Sequence, residues 1–242
     1  MCNACERGPV SDATVGEESR AEWDLLVAMF AGYHGVVIYL ASQSPQRAML
    51  LERAGVPFTV VASTGDEEAV TSDRPQVLAL DRAMVKARGA AVPANATGVI
   101  LGADTVVNLG MTMYGKPTDD VDAARILGAL QGTTHTVLTG HHLIRVVNGV
   151  TSTEASGISL ARVTMRRLSA EDIRAYLATG EHRGRAGAYA IQETGDRFVV
   201  DLQGSWGTVV GLSVSTVAKL YRELTDDVLA MSPTSGTRRL TR

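Results

Sequence analysis

The sequence predicts an α/β fold in which helices flank a mixed, twisted β-sheet, and three observations carry that expectation. Short apolar runs at Val36 to Ala41 and Gly98 to Val107 read as buried strands. Segments with apolar residues at helical spacing lie between such runs. Asn148-Gly149 joins two long β-rich segments as a hairpin, which breaks the strict alternation of a doubly wound sheet.

Taken in order, Val36 to Ala41 leads into Ser44-Pro45, an N-cap residue followed by proline at the first helical position. That helix closes at Gly55 and carries Met49, Leu50 and Ala54 on one face. Phe58 to Ala62 is a second strand, and Asp66-Glu67-Glu68 an acidic loop. Val77, Leu80, Met84 and Ala87 give a helix from about Arg74 to Ala91 its apolar spacing. Thr118 can cap a helix running to about Gln131, with Asp119, Asp120 and Asp122 at its positive end and Gly132 closing it. Thr136 to Val147 and Val150 to Thr164 form the hairpin. Ser169, with Asp172 three residues on, starts a helix to Ala178. A strand near Phe198 to Leu202 and a helix from Ser213 to Leu224 complete the order. One domain therefore spans residues 36–225. Residues 1–35 read as a polar, partly disordered extension with one helix-forming cluster at Trp23 to Phe30, and residues 226–242 as a flexible tail rich in Ser, Thr and Arg.

Composition narrows the function. Of 242 residues, 45% are apolar, enough for a substantial core, which excludes a disordered chain. Lys and Arg number 23 against 26 Asp and Glu, a formal charge of -3, so no global field draws in nucleic acid or anionic lipid and an anionic ligand must be held locally. No basic stripe is interleaved with aromatics, and nucleic acid is not an expected partner. The apolar runs fall far short of the ~20 residues that cross a bilayer, so no membrane partner is expected and the chain reads as soluble. Residues 1–20 lack a basic segment leading into an apolar one, and the expected location is cytoplasmic. Cys2 and Cys5 have no second Cys or His pair to complete a structural zinc site. The five scattered histidines read as structural or surface residues.

Gly110 to Lys116 matches the spacing of a phosphate-binding P-loop, but Pro117 stands where that loop needs a hydroxyl for magnesium. Neither a dinucleotide fingerprint nor a hydrolase nucleophile elbow occurs. What remains is a set of polar residues in costly places. Asp104 follows the apolar run Val99 to Ala103, where a carboxylate needs a lysine, a metal or an Asx-turn with Thr105. Lys116 in a Gly-Lys-Pro turn and Lys86 beside an apolar stripe are either site cations or, respectively, a turn lysine and a snorkelling one. Ser42 to Arg47 carries a strand directly into a helix start with hydroxyls and an arginine, an arrangement for holding an anion or for plain capping.

In order, Leu40 to Arg47, Asp66-Glu67, Lys86-Ala87, Gly102 to Thr105, Gly115-Lys116-Pro117, Thr139-Gly140, Ala186 to Gln192 and Val209 to Leu212 resemble the Maf (septum-formation inhibitor) family of the Ham1-like superfamily. The resemblance covers residues 36–225 and implies the Maf/Ham1 (ITPase-like) fold. It implies a nucleoside triphosphate pyrophosphatase that uses a divalent cation, Mg²⁺ or Mn²⁺, to split substrate between the α and β phosphates. On that resemblance Asp104 matches the proton acceptor and, with Glu67, a metal-binding carboxylate. Arg47, Lys86 and Lys116 match the cations around the triphosphate, with Ser42 and Ser44 in the same pocket. Thr105 and Gln192 match positions linked to base choice. The Ala-Gly-Ala-Tyr-x-Ile-Gln form is similar to the branch acting on dTTP and UTP, and a homodimer is implied by the family. The chain departs from the family pattern at Gln46, where a specificity-linked arginine is usual, at Thr208 for Asn and at Ser213 for Pro. Gln46 is the main support for a second reading, a catalytically weakened nucleotide-binding regulator of cell division.

Overall fold

In the computed structural model, which describes residues 37–192 and 194–231, the apolar and alternating segments pair into one seven-stranded sheet. Strand β1 (Val37–Leu40) lies between β2 (Phe58–Val60) and β3 (Gly98–Leu109) and is parallel to both. The antiparallel strands are β4 (Thr112–Tyr114), β5 (Thr134–Val147), β6 (Val150–Met165) and β7 (Val199–Gln203). Spatial order is β2-β1-β3-β5-β6-β7, with β4 beside β3. Parallel neighbours need a crossover, supplied by α1 (Pro45–Arg53) and α2 (Pro75–Arg88). The remaining helices are α3 (Asp120–Leu130), α4 (Ala170–Thr179), α5 (Trp206–Val210) and α6 (Val214–Met231).

The edge of β3 positions the site. Its first four residues, Gly98 to Leu101, pair with β1, and Val107 to Leu109 pair with β4. Residues 102–106 have neither strand on that edge, so the sheet is notched there. The notch lies just past the carboxyl end of β1, where α1 begins, the place at which open α/β sheets receive ligands.

Helix α2 packs across β3 and β5 on one face because two glycines let it descend. A Cβ on Gly102 would stand 2.2 Å from the Ala83 carbonyl oxygen, and one on Gly140 would stand 2.4 Å from that of Ala79. On the other face, α1 and α6 bury Leu50, Leu51, Leu220 and Tyr221 against Ile38, Leu40 and Leu101. A second apolar cluster, around Ile126, Leu127, Tyr176 and Phe198, closes the far end beneath α3 and α4.

Several boundaries differ from expectation. Asp119, not Thr118, is the N-cap of α3, its carboxylate accepting from the Asp122 amide; a carboxylate is the stronger acceptor there. Helix α6 runs past Leu224 to Met231, so the boundary expected at residue 225 falls inside it; the first proline after that point is Pro233. Strand β4 and helix α5 are too short for periodicity to show. Cys2, Cys5, His34 and the helix expected at Trp23 to Phe30 lie outside the described residues.

His135, His141, His142 and His182 are all buried, rather than divided between core and surface. His135 shares a hydrogen bond with the Tyr189 hydroxyl, and His141 Nε2 accepts from the Ser213 amide. Burial pulls the His135 imidazole down to about 4. Burial, helped by the Arg47 charge, pulls His141 down to about 3. An unfolded imidazole protonates near 6.5 and these do not, so below that pH the unfolded chain binds more protons and stability falls toward pH 4. The melting temperature should therefore drop between pH 7 and pH 5, with a shallower slope in His135→Gln. Separately, Gly102→Ala should lower stability by about 1–3 kcal/mol in urea unfolding, because α2 must lift off the sheet.

Candidate active site

The notch opens into a cavity of about 550 Å³ whose walls include all ten residues singled out from the sequence: Ser42, Ser44, Gln46, Arg47, Glu67, Lys86, Asp104, Thr105, Lys116 and Gln192. Their elements explain the convergence. Ser42 and Ser44 sit in the turn leaving β1, and Gln46 and Arg47 in the first turn of α1. Asp104 and Thr105 occupy the stretch of β3 that is open on the β1 edge and paired with β5 on the other, and Lys86 comes across from the last turn of α2.

Lys86 Nζ stands 2.7 Å from Asp104 Oδ1 and also pairs with Glu67. Asp104 is only 8% exposed, and of the alternatives left open for it the structure shows a lysine partner. Burial pulls the Lys86 ammonium down to about 8, with Asp104 opposing the shift and Arg47 and Lys116 adding to it. Lys86 thus lies in the cavity wall between two carboxylates and does not snorkel to the surface.

Arg47 is equally buried and uses all three of its nitrogens. Nε donates to the Gly211 carbonyl at 2.8 Å, and its two terminal nitrogens donate to Ser42 Oγ at 2.8 Å and Thr105 Oγ1 at 3.3 Å. Thr139 Oγ1 donates to the Thr208 carbonyl at 2.7 Å, so in its 2.9 Å contact with Thr105 the Thr105 hydroxyl is the donor. The Thr105 hydroxyl is therefore engaged on both sides, aligning Arg47. Burial lowers the Arg47 pKa, and Asp104 opposes that.

Ser44 holds the N-cap position of α1 without capping it; its hydroxyl turns to the Gln46 amide instead. The amides of the first turn are left without a side-chain acceptor, and an anion can take that place. Lys116 follows β4 in a turn whose Gly115 carbonyl accepts from the Gly187 amide at 3.0 Å, which ties this lysine to the Ala186–Ala188 turn.

Sequence reasoning missed Arg183 and Arg185, which also line the cavity. Arg185 donates to Gln192 Oε1 at 3.2 Å, and with the Gln46 amide turned to satisfy its neighbours, both Arg185 terminal nitrogens donate to Gln46 Oε1 at 3.1 Å. The signal was the Arg183-Gly184-Arg185 pair immediately before Ala-Gly-Ala-Tyr. Counting Arg183, whose exposed guanidinium lies 3.7 Å from Asp120, five cationic residues line the cavity against two carboxylates.

The Maf-like protein family matches residues 37–224 of the chain. A dTTP/UTP pyrophosphatase of Syntrophotalea carbinolica is 39% identical over 192 residues, 79% of this chain and 86% of the relative. One of Bacillus cereus is 38% identical over 191 residues, 79% and 91% of the two chains. Another, of Anaeromyxobacter dehalogenans, is 41% identical over 185 residues, 76% and 92%. Among solved structures, a nucleoside-triphosphatase (dITP/XTP pyrophosphatase) of Mycobacterium abscessus aligns at a TM-score of 0.36 and 16% identity, covering 81% of this chain and 96% of that one.

Removing Lys86 leaves two carboxylates facing each other without their cation. Lys86→Met should cost about 3–5 kcal/mol in chemical unfolding at pH 7. Adding Asp104→Asn should recover part of that loss, and a double-mutant cycle reads the coupling.

Proposed function

The chain belongs to the Maf family, and from that premise we propose that it hydrolyses dTTP or UTP between the α and β phosphates, releasing the monophosphate and pyrophosphate. Charge carries this reading. A cavity with five cations and two carboxylates suits a polyanion of triphosphate size, and the open amides of α1 add a further anion-binding element.

The chemistry needs a positioned water, a base and neutralisation of charge on the leaving group. Asp104 accepts the proton of the water that bonds to the α-phosphorus, as the bond from that phosphorus to the bridging oxygen breaks. In the free protein Lys86 stands against that carboxylate. An entering phosphate draws the ammonium away, which frees an Asp104 oxygen for water. Arg47 and Lys116 balance the charge that gathers on the departing pyrophosphate. Ser42 and Ser44 belong to the same phosphate end, while Gln192 and Gln46, together with Thr105 acting through Arg47, belong to base selection.

A divalent cation fits the residues present. Glu67 Oε2 is buried with no hydrogen-bond donor other than the ammonium of Lys86, and Asp104 presents a second hard oxygen to the same cavity. No group of three or more His, Cys, Asp or Glu side chains gathers among the described residues, and Mg²⁺ is satisfied by one or two carboxylates together with substrate phosphates. Glu67 and Asp104 would hold Mg²⁺ or Mn²⁺, which when bound supplies charge neutralisation at the phosphate oxygens. A homodimer is part of the same reading and rests on the family resemblance, and a cytoplasmic location is proposed with it. No helix among the described residues is long and apolar enough to cross a membrane.

The second reading, a catalytically weakened nucleotide-binding regulator of cell division, draws its support from Gln46, where the resemblance implies an arginine. The Arg185 guanidinium against Gln46 returns a cation to that position. The test is a panel of nucleoside triphosphates with Mg²⁺ or Mn²⁺, scoring pyrophosphate and orthophosphate separately. Pyrophosphate release from dTTP or UTP is expected, with kcat lowered about 10²–10⁴-fold in Asp104→Asn. Orthophosphate release, no release, or an undiminished rate in the variant would overturn the assignment.

A further inference from the structure

The polar side chains of the cavity form two bonded groups. In one, Lys86 holds Asp104 and Glu67 while Arg47 holds Ser42 and Thr105. In the other, the Arg185 guanidinium stands between two carboxamides, Gln46 and Gln192, and Gln192 Nε2 donates to the Met49 sulfur at 3.4 Å. A carboxamide can present either a donor or an acceptor to a ligand, so by itself it does not distinguish a carbonyl from an amino group. A guanidinium has donors and no acceptor, so an amide held by it must turn its oxygen inward. Arg185 therefore removes the ambiguity for both glutamines at once: Gln46 Oε1 and Gln192 Oε1 face the arginine, Gln46 Nε2 donates to Ser44 Oγ, and Gln192 Nε2, which gives one hydrogen to the Met49 sulfur, has its second hydrogen for a ligand.

The geometry points to Arg185 as the positioning residue that sets base choice, by locking Gln192 as a hydrogen-bond donor toward a pyrimidine carbonyl oxygen. This rests on the proposed reaction and deepens it. The locked amide matches the carbonyl at position 4 of uracil or thymine and opposes the amino group that cytosine carries there. The cost of the mismatch is that of two donors facing each other with no acceptor between them. Arg185 acts through Gln192 and needs no contact with the reacting phosphates.

The measurement is the ratio of UTP to CTP, taken in two ways on the full chain: kcat/KM for pyrophosphate release, and Kd for the non-hydrolysable α,β-imido analogues of each nucleotide. Wild type is expected to favour the uracil nucleotide in both. Arg185→Met should cut that preference about tenfold, the worth of one oriented hydrogen bond, mainly by improving CTP. Arg185→Lys, still a donor without an acceptor, should keep most of it. In a Gln192→Ala background Arg185→Met should change the ratio no further, whereas a merely structural arginine would lower both nucleotides alike and leave the ratio intact. An unchanged ratio in Arg185→Met, or an equal further loss in the Gln192→Ala background, overturns the inference while leaving the pyrophosphatase reading standing. Discrimination in the Kd values that depends on Arg185, without pyrophosphate release by wild type, upholds the inference and sinks that reading.

Discussion

Asp104 is a carboxylate on a strand whose neighbours are closed to solvent, and a charge there is tolerable only with a cation held against it. Much of the architecture follows from meeting that condition. The cation is Lys86, which belongs to a helix on one face of the sheet, so the helix must lie close enough for a lysine to reach the strand. Gly102 and Gly140 permit this by offering α2 bare backbone where any side chain would strike its carbonyls. The same strand, paired with β5 throughout this stretch, must be left open on its other edge at Asp104 for a ligand to arrive, and β1, whose pairing ends at Leu101, and β4, whose pairing begins at Val107, leave it so.

Arg47 does for the other face what Lys86 does for this one. Its three nitrogens join the turn after β1, the open stretch of β3 and the turn between α5 and α6, and the Thr105 to Thr139 to Thr208 relay continues the connection across β5. A buried guanidinium so fully engaged is preorganised: it meets an anion without first losing rotamer freedom. The site is thus preorganised at Arg47, while Lys86 is held against the carboxylates of Asp104 and Glu67.

Where the family resemblance implies an arginine, position 46 is glutamine, and the Arg185 guanidinium donates to it. A cation delivered through a different element does not restore the original fork, because its direction is set by the turn preceding Ala186 and its donors are shared with Gln192. The likeness to dTTP/UTP pyrophosphatases and the altered residue are therefore compatible.

The sequence by itself determined the α/β class, the hairpin at Asn148-Gly149, the strand entering α1 and ten of the residues that line the cavity, Gln46, Glu67, Thr105 and Gln192 among them through the order of the family's motifs alone. Those features lie in local spacing, caps and the order of short motifs, all of which a window of the chain contains. It left open whether Asp104 met a lysine, a metal or its own turn, and it passed over Arg185 altogether. Only the tertiary structure decided that Lys86 lies across from Asp104, 18 residues away, and that Arg47 reaches Thr105 and Gly211, 58 and 164 residues away. The physical reason is that a side chain's partner depends on how closely a helix can approach a sheet and which strand edge is left open. Both are set by packing between segments that no local pattern relates.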